Sequence, residues 1–360
     1  MEVINNTKLV AEVGGAKTKE GLDALVVAVK GTWLFPDEIG QVCVLSKEPL
    51  PLIDSDVHLD KGATITLQEN DFAPIKPQCD VILNGHAYAP NGEPTKECIV
   101  GLDIAGQVTK QFMVKGNRYW KKSLGRLTLT DPEPFLKQTI DYGCAFGGID
   151  TSKGEEKTAA FELNHAGRGF CKGDKDSLID QPGPHTEVIN QAISSTTGSY
   201  QPMSFGCIGR AWQPRLPLAG TYDQDWIDNV SPFLPDDFDN AFFQSAPVDQ
   251  QMNYIQGGES VALFNLTPNG KELFTLPTQE VHLTIKDSYG TLINVQCVAD
   301  TLVIEPDDRR LSIVWRYLHP LPRNKPKIDT LIIGEPSPAW LRARAKGKRY
   351  RSMRNLSKFS

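Results

Sequence analysis

The sequence predicts a mainly β fold: two β-rich halves of sandwich or barrel type, with a long irregular excursion between them and little helix. Three observations predict it. Short runs rich in valine, isoleucine and aromatic residues recur along the chain. Turn residues interrupt them about every ten positions. No alternation of strand and helix of the doubly wound kind is present. The divisions fall at residues 1–149 for the N-terminal half, 150–204 for the excursion, 205–330 for the C-terminal half and 331–360 for a basic tail.

The first strand signal covers residues 22–33, a valine-rich run ended by Phe35, Pro36 and Asp37. The second, residues 79–88, stops at the turn residues Pro90, Asn91 and Gly92. Residues 98–104 and 108–114 flank Ala105, Gly106 and Gln107, which is hairpin spacing. The pattern continues through 115–117 into Arg118, Tyr119 and Trp120.

Residues 150–204 are different. They are rich in glycine, lysine, aspartate and serine, and 194–199 (SSTTGS) is a loop by composition. One short helix is expected over 187–193. A stretch this long without regular structure is usually functional or mobile. Residues 205–260 are dense in aromatic rings, prolines and acids, so they read as an irregular segment wrapped on the core. Strand signals return at 261–266, 281–286, 301–305 and 311–317. Trp120, Trp212, Trp226 and Trp315 sit within motifs or strands and are expected in the core.

Composition excludes several classes. Hydrophobic residues make up 40% of the 360 and charged residues 23%, the balance of a folded globular chain. The longest apolar run, residues 24–29, is far short of the roughly 20 residues of a spanning helix. Glu2, Asn5, Asn6 and Lys8 break up any secretory signal, so a cytoplasmic protein is expected. The seven cysteines are odd in number and lack a C-x-x-C pair, which favours reduced, buried thiols.

Charge is unevenly placed. Residues 341–360 hold eight lysines and arginines and no acid; subtracting that +8 from the net −6 leaves −14 on the rest. An acidic body argues against nucleic acid as a partner. The tail reads either as a solvated terminus or as a docking segment. In the second reading Trp340 is an apolar anchor, and Arg342, Arg344, Lys346, Lys348, Arg349 and Arg351 are the binding charges.

No motif for chemistry emerges. A phosphate-binding loop, a dinucleotide fingerprint and a G-x-S-x-G elbow are all absent from the sequence. Gly167, Arg168 and Gly169 lack a third glycine and a preceding strand. The six histidines do not pair at helical ligand spacing. His165 and His185 share the polar middle with Cys171, where solvated loop histidines are favoured over a metal site. No cofactor or metal is expected. A hydrolase acting on carbohydrate or peptidoglycan would need paired carboxylates in a cleft, with Asp223, Asp237, Asp239 and Glu259 as the candidates. Turn and capping roles suit these residues better, and Arg118 and Arg215 suit structural ion pairs.

Several long segments occur in a characteristic order. They are VVAVKGTW (26–33), DFAPIKPQCDVILNGHAYAPNG (71–92), KGNRYW (115–120), YGCAFGG (142–148), WQPRLPLAGTYDQDW (212–226), LPDDFDNAFFQSAPVDQQ (234–251) and GGE (257–259). Through them residues 20–316 resemble a bacterial family catalogued as a domain of unknown function (number 2169), linked to type VI secretion. Residues 150–204 match weakly, and the chain beyond about 320 lies outside the resemblance. KGTW carries glycine and tryptophan where the family pattern has alanine and phenylalanine. The resemblance implies an adaptor or chaperone without catalytic residues. Such a protein binds a secreted effector through the effector's N-terminal or PAAR-like region. It then helps load the effector onto the VgrG/PAAR spike. An exposed apolar patch or sheet edge would hold the effector.

Overall fold

The protein is described from a computed structural model covering residues 1–59, 65–322 and 324–348. The N-terminal strands are β1 (Glu2–Asn5), β2 (Val10–Lys17), β3 (Asp23–Leu34), β4 (Val44–Leu45) and β5 (Cys79–Leu83). The hairpin β6 (Glu97–Ile104) and β7 (Val108–Lys115) follows. Of the short strands in the irregular stretch that follows, β8 (Thr186–Glu187) and β9 (Gln251–Met252) join the larger sheets. The chain then runs through β10 (Ser260–Phe264), β11 (Lys271–Thr275), β12 (His282–Asp287) and β13 (Leu292–Gln296). It ends in β14 (Val298–Glu305), β15 (Arg310–Pro320), β16 (Ile328–Ile333) and a helix, α1 (Pro338–Ala345).

These strands form three sheets among the described residues. The largest has the order β9-β5-β14-β15-β3-β2, with β4 also paired to β3. The second is β8-β7-β6-β10-β11, and the third β1-β16-β12-β13. Pairing is antiparallel except for β5 with β14 and β1 with β16. No sheet closes into a barrel among the described residues.

Local sequence explains the clearest elements. In β7, Val108, Lys110, Phe112 and Val114 are buried while Thr109 and Gln111 are exposed, the period of two of a half-covered strand. Its hairpin turn uses Ala105 (φ 48°) and Gly106 (φ 71°), left-handed residues whose twist matches that of the strands. β3 and β15 pair over eleven positions, from Leu34↔Arg310 to Ala24↔Pro320. Both are covered on both faces, so they read as near-continuous apolar runs. Their inner faces carry Val29, Trp33, Ile313 and Trp315, with the two indoles 5.7 Å apart. One core joins these to Val100 and Phe112 of the second sheet and Leu283 and Leu331 of the third.

The structure corrects several expectations. Each sheet takes strands from both sides of 150–204, so the two β-rich halves interleave rather than stand apart. The division at 330/331 falls inside β16, and α1 follows it. Residues 187–193 are not helical. The Glu187 carboxylate is buried, accepting from Arg118 Nη2 (2.7 Å) and from the Ile193 amide (3.0 Å), and Asn190 is left-handed. Trp120, Trp212 and Trp315 are buried, but Trp226 is only half-buried. His185 is buried rather than solvated. All seven cysteines are free and buried. No helix among the described residues is long and apolar enough to cross a membrane.

Candidate functional site

The outer face of the largest sheet is where charge and apolar strand meet. Residues that alternate away from the core include Lys30 on β3, Asp80 on β5, Asp300 on β14 and Arg316 on β15. Together with Asp71 and Lys76 they form a layer of three acids and three bases, each at most 3% exposed. Lys30 Nζ meets Asp71 at 3.0 Å, and Lys76 Nζ meets Asp80 at 2.7 Å. Arg316 pairs with Asp300 and donates to the Asp71 carbonyl. Burial alone would push the Asp80 carboxyl up. The Lys76 ammonium, with hydrogen bonds from Gln244 and Ser245, holds it below the usual range. Asp300 is the weaker member: burial pushes it up against the pull of Arg316, and its Oδ2 has no partner among the described residues.

The layer needs a cover, and the irregular segment supplies it. Gln244 Nε2 and the Ser245 amide donate to Asp80 at 2.9 and 2.8 Å. Gln250 Nε2 donates to the carbonyls of Val81 and Phe205. Arg215, 1% exposed, clamps the base of the next loop. Its Nη1 donates to Glu69 (2.6 Å) and the Ile208 carbonyl (2.8 Å), and its Nη2 to the Phe242 carbonyl (2.7 Å). Arg118 pairs with Glu187. Both arginines thus have the structural role expected of them.

Beyond Arg215 the chain projects as a closed loop, residues 216–239. Leu216, Tyr222, Ile227 and Phe233 are 48–56% exposed there. The loop contains Asp223, Asp225, Asp228, Asp236, Asp237 and Asp239 and no lysine, arginine or histidine. Among the described residues no ion pair engages any of the six. Their partners are amides and hydroxyls instead. Asp223 accepts from the Trp226 amide (3.0 Å), Asp239 from the Ala241 amide (2.8 Å), and Asp225 from Asn229 Nδ2 (2.7 Å). Asp237 accepts from the Thr221 amide and hydroxyl, bonds that hold its carboxyl below the usual range. Trp226 Nε1 donates to the Phe233 carbonyl (3.0 Å), closing the loop over its own ring. Lys19 Nζ donates to the carbonyls of Asp236 and Phe238, tying the loop to the β2–β3 turn. Gly220 turns the entry at φ 82°, where a Cβ would lie 2.7 Å from Asp237 Oδ1.

The four carboxylates named for hydrolysis are therefore not assembled as an acid–base pair. Asp223, Asp237 and Asp239 hold turns of this loop, and Glu259 accepts from the Gln256 and Gly257 amides. None lines the cavity of about 500 Å³ beside His86. In that cavity Asp307 is held by His86 (2.6 Å), Tyr88 (2.8 Å) and Lys137 (3.2 Å), while Glu305 and Asp308 pair with Arg310. No cluster of three histidine, cysteine or acid side chains could hold a metal ion among the described residues. His185 Nε2 donates to the Thr139 carbonyl at 2.8 Å, and burial lowers its pKa to about 4, so it is a neutral core residue.

The tail residues divide. Trp340 is 3% exposed and packs with Ile4 and Ile332, so it anchors the chain to its own body rather than to a partner. The Ser337 hydroxyl caps the helix by accepting from the Trp340 amide. Arg344 lies over the Trp340 ring and reaches Glu2 at 3.3 Å. Arg342, Lys346 and Lys348 are exposed, and Arg349 and Arg351 lie outside the described residues. The sequence reading missed the projecting loop as a surface because rings and acids together read equally well as core wrapping. The signal that was available is its lack of any basic residue over 24 positions.

The chain belongs to the bacterial family described as an uncharacterized protein conserved in bacteria (DUF2169), whose model matches residues 20–316. No curated protein and no solved structure matches the chain.

Proposed function

We propose that the protein is a cytoplasmic adaptor or chaperone that binds a type VI secretion effector and helps load it onto the VgrG/PAAR spike. The observation that carries the reading is the loop 216–239. It presents four half-exposed apolar side chains among six carboxylates that no ion pair engages among the described residues, on a base fixed by Arg215. Such a surface suits a basic, apolar region of an effector, at its N-terminus or in its PAAR-like part. The rigid base matters, because a preformed knob loses less entropy on binding than a free loop. The exposed Arg342, Lys346 and Lys348 supply a second, opposite charge for an acidic face of the spike.

The test is co-purification with a candidate toxin and a candidate spike protein of the type VI class. The full chain should retain the toxin. Ile227→Ser with Phe233→Ser should lose it while melting as the parent does, since both side chains are half-exposed. Raised salt should weaken capture. Equal capture by the double variant would remove the loop from the interface. A stable protein that hydrolyses a glycan, and stops doing so in Asp237→Asn, would replace the adaptor reading with catalysis.

A further inference from the structure

The loop is not the only apolar concavity or surface without a cover. A groove of about 760 Å³ opens where the end of β15 leaves the largest sheet for the third. Leu25, Ile285, Ile293, Leu321 and Ile328 floor it. Its wall contains Pro320, Pro322 and Pro326. Prolines fix φ and carry no amide donor, so this wall is stiff and offers a ligand few hydrogen bonds. Backbone bonds hold it in place: the Leu321 amide donates to the Asp23 carbonyl (2.7 Å), and the Ser288 amide to the Lys327 carbonyl (2.8 Å). The apolar surface continues onto the outermost strand of the third sheet, where Leu292 and Ile293 are exposed.

The charge on this groove is opposite to that of the body. Lys325 and Lys327 line it, both exposed. No carboxylate pairs with either among the described residues. One carboxylate, Asp287, also lines the groove, and it accepts from the Tyr289 and Thr291 amides at 2.9 and 2.8 Å, so the two lysines outnumber it. A stiff apolar trough with two free ammonium groups selects an apolar segment that carries carboxylates at its flanks. Two segments of a second copy can be compared with that requirement. Leu292–Gln296 is uncharged and would leave both lysines unmatched. The acidic loop 216–239 has the right charge, but it is a closed 24-residue knob, too bulky for a groove of this volume.

We infer that the groove docks an extended, apolar, acid-flanked segment of the protein's polypeptide partner. This rests on the adaptor reading and adds a second contact of opposite polarity to the loop. The probe is a labelled peptide of about ten residues, with leucine and isoleucine at its centre and aspartates at both ends. A counterpart has lysines in place of the aspartates. Fluorescence anisotropy with the full chain should show binding of the acidic peptide only. Lys325→Glu with Lys327→Glu should weaken it about tenfold or more and admit the lysine peptide instead. Because both lysines are exposed, this variant should fold; an unchanged far-UV spectrum checks it. Equal binding of the acidic peptide by parent and variant would overturn the proposal. So would failure of either peptide to bind the parent. Concentration-dependent self-association lost in the variant would overturn it too, by making a second copy the occupant. Toxin capture in parallel separates the two ideas. If the variant captures toxin as the parent does, the groove proposal fails and the adaptor reading stands. If the parent captures none, the adaptor reading fails, and the groove is then no contact for that partner.

Discussion

Two regions of this molecule use aspartate in opposite ways. On the outer face of the largest sheet, Asp71, Asp80 and Asp300 are matched one for one by Lys30, Lys76 and Arg316, all nearly out of reach of water. In the loop 216–239, six aspartates have no ion-pair partner among the described residues and stay at the surface. The difference follows from solvation. A carboxylate removed from water must regain its charge stabilisation from protein, or it becomes neutral. A carboxylate left in water needs nothing, and can cap a turn while keeping its field. The first arrangement glues a cover to a sheet. The second leaves a charged, apolar knob open to a partner.

The sharpest way to break this contrast is to remove one cation from the layer. Arg316→Met should cost about 3–5 kcal/mol by leaving Asp300 uncompensated and the Asp71 carbonyl without its donor. Urea unfolding checks it, and a change below about 1 kcal/mol would mean the layer is not coupled as described.

His185 lies between the two cases, buried like the layer but uncharged. Its pKa falls from an unfolded 6.5 to about 4 because burial disfavours the imidazolium. The unfolded chain therefore binds more protons between those values. Its stability contribution is complete above about pH 6.5 and declines as pH falls toward 4. The loss amounts to roughly 3 kcal/mol at most. His185→Gln should flatten the pH dependence of stability within that window, with the parent as reference. Parallel curves for the two proteins would place the sensitivity elsewhere.

Within the loop, effects on stability should be smaller. Trp226→Ala removes a half-buried ring and its bond to Phe233, and should cost about 1–2 kcal/mol with the protein still soluble. Insoluble variant protein would show that the loop belongs to the core after all. Asp239→Ala removes a turn cap and should cost about 0.5–1 kcal/mol, read as a small fall in melting temperature. A drop as large as that of Arg316→Met would erase the distinction between the regions.

How much of this was legible in the sequence depends on range. The runs at 22–33, 98–104, 108–114 and 311–317 all became strands, because alternation and turn chemistry are local. β2 escaped notice: VAEVGGAK holds two glycines, and its partner β3 supplies the order. The ionic layer was in plain view as single charges within apolar runs, Lys30 in VVAVKGTW and Arg316 in LSIVWRY. Nothing local says that Lys30 meets Asp71, or that Arg316 meets Asp300. The docking reading of the tail makes Trp340 an outward anchor for the same reason. Its neighbour Ile4 is more than 300 positions away.

That last contact has a consequence in time. β1 lies parallel to β16, with Glu2 opposite Thr330 and Asn5 opposite Ile333. A ribosome adding roughly 5–20 residues per second needs on the order of 15–70 seconds between making one strand and the other. Throughout that interval the first strand has no neighbour from its own sheet, and β12 and β13 must wait for β16 to join them to it. The third sheet is therefore completed only after Ile333 has been made, and a nascent chain stalled before that point would expose the apolar faces of β12 and β13 to cellular chaperones and proteases.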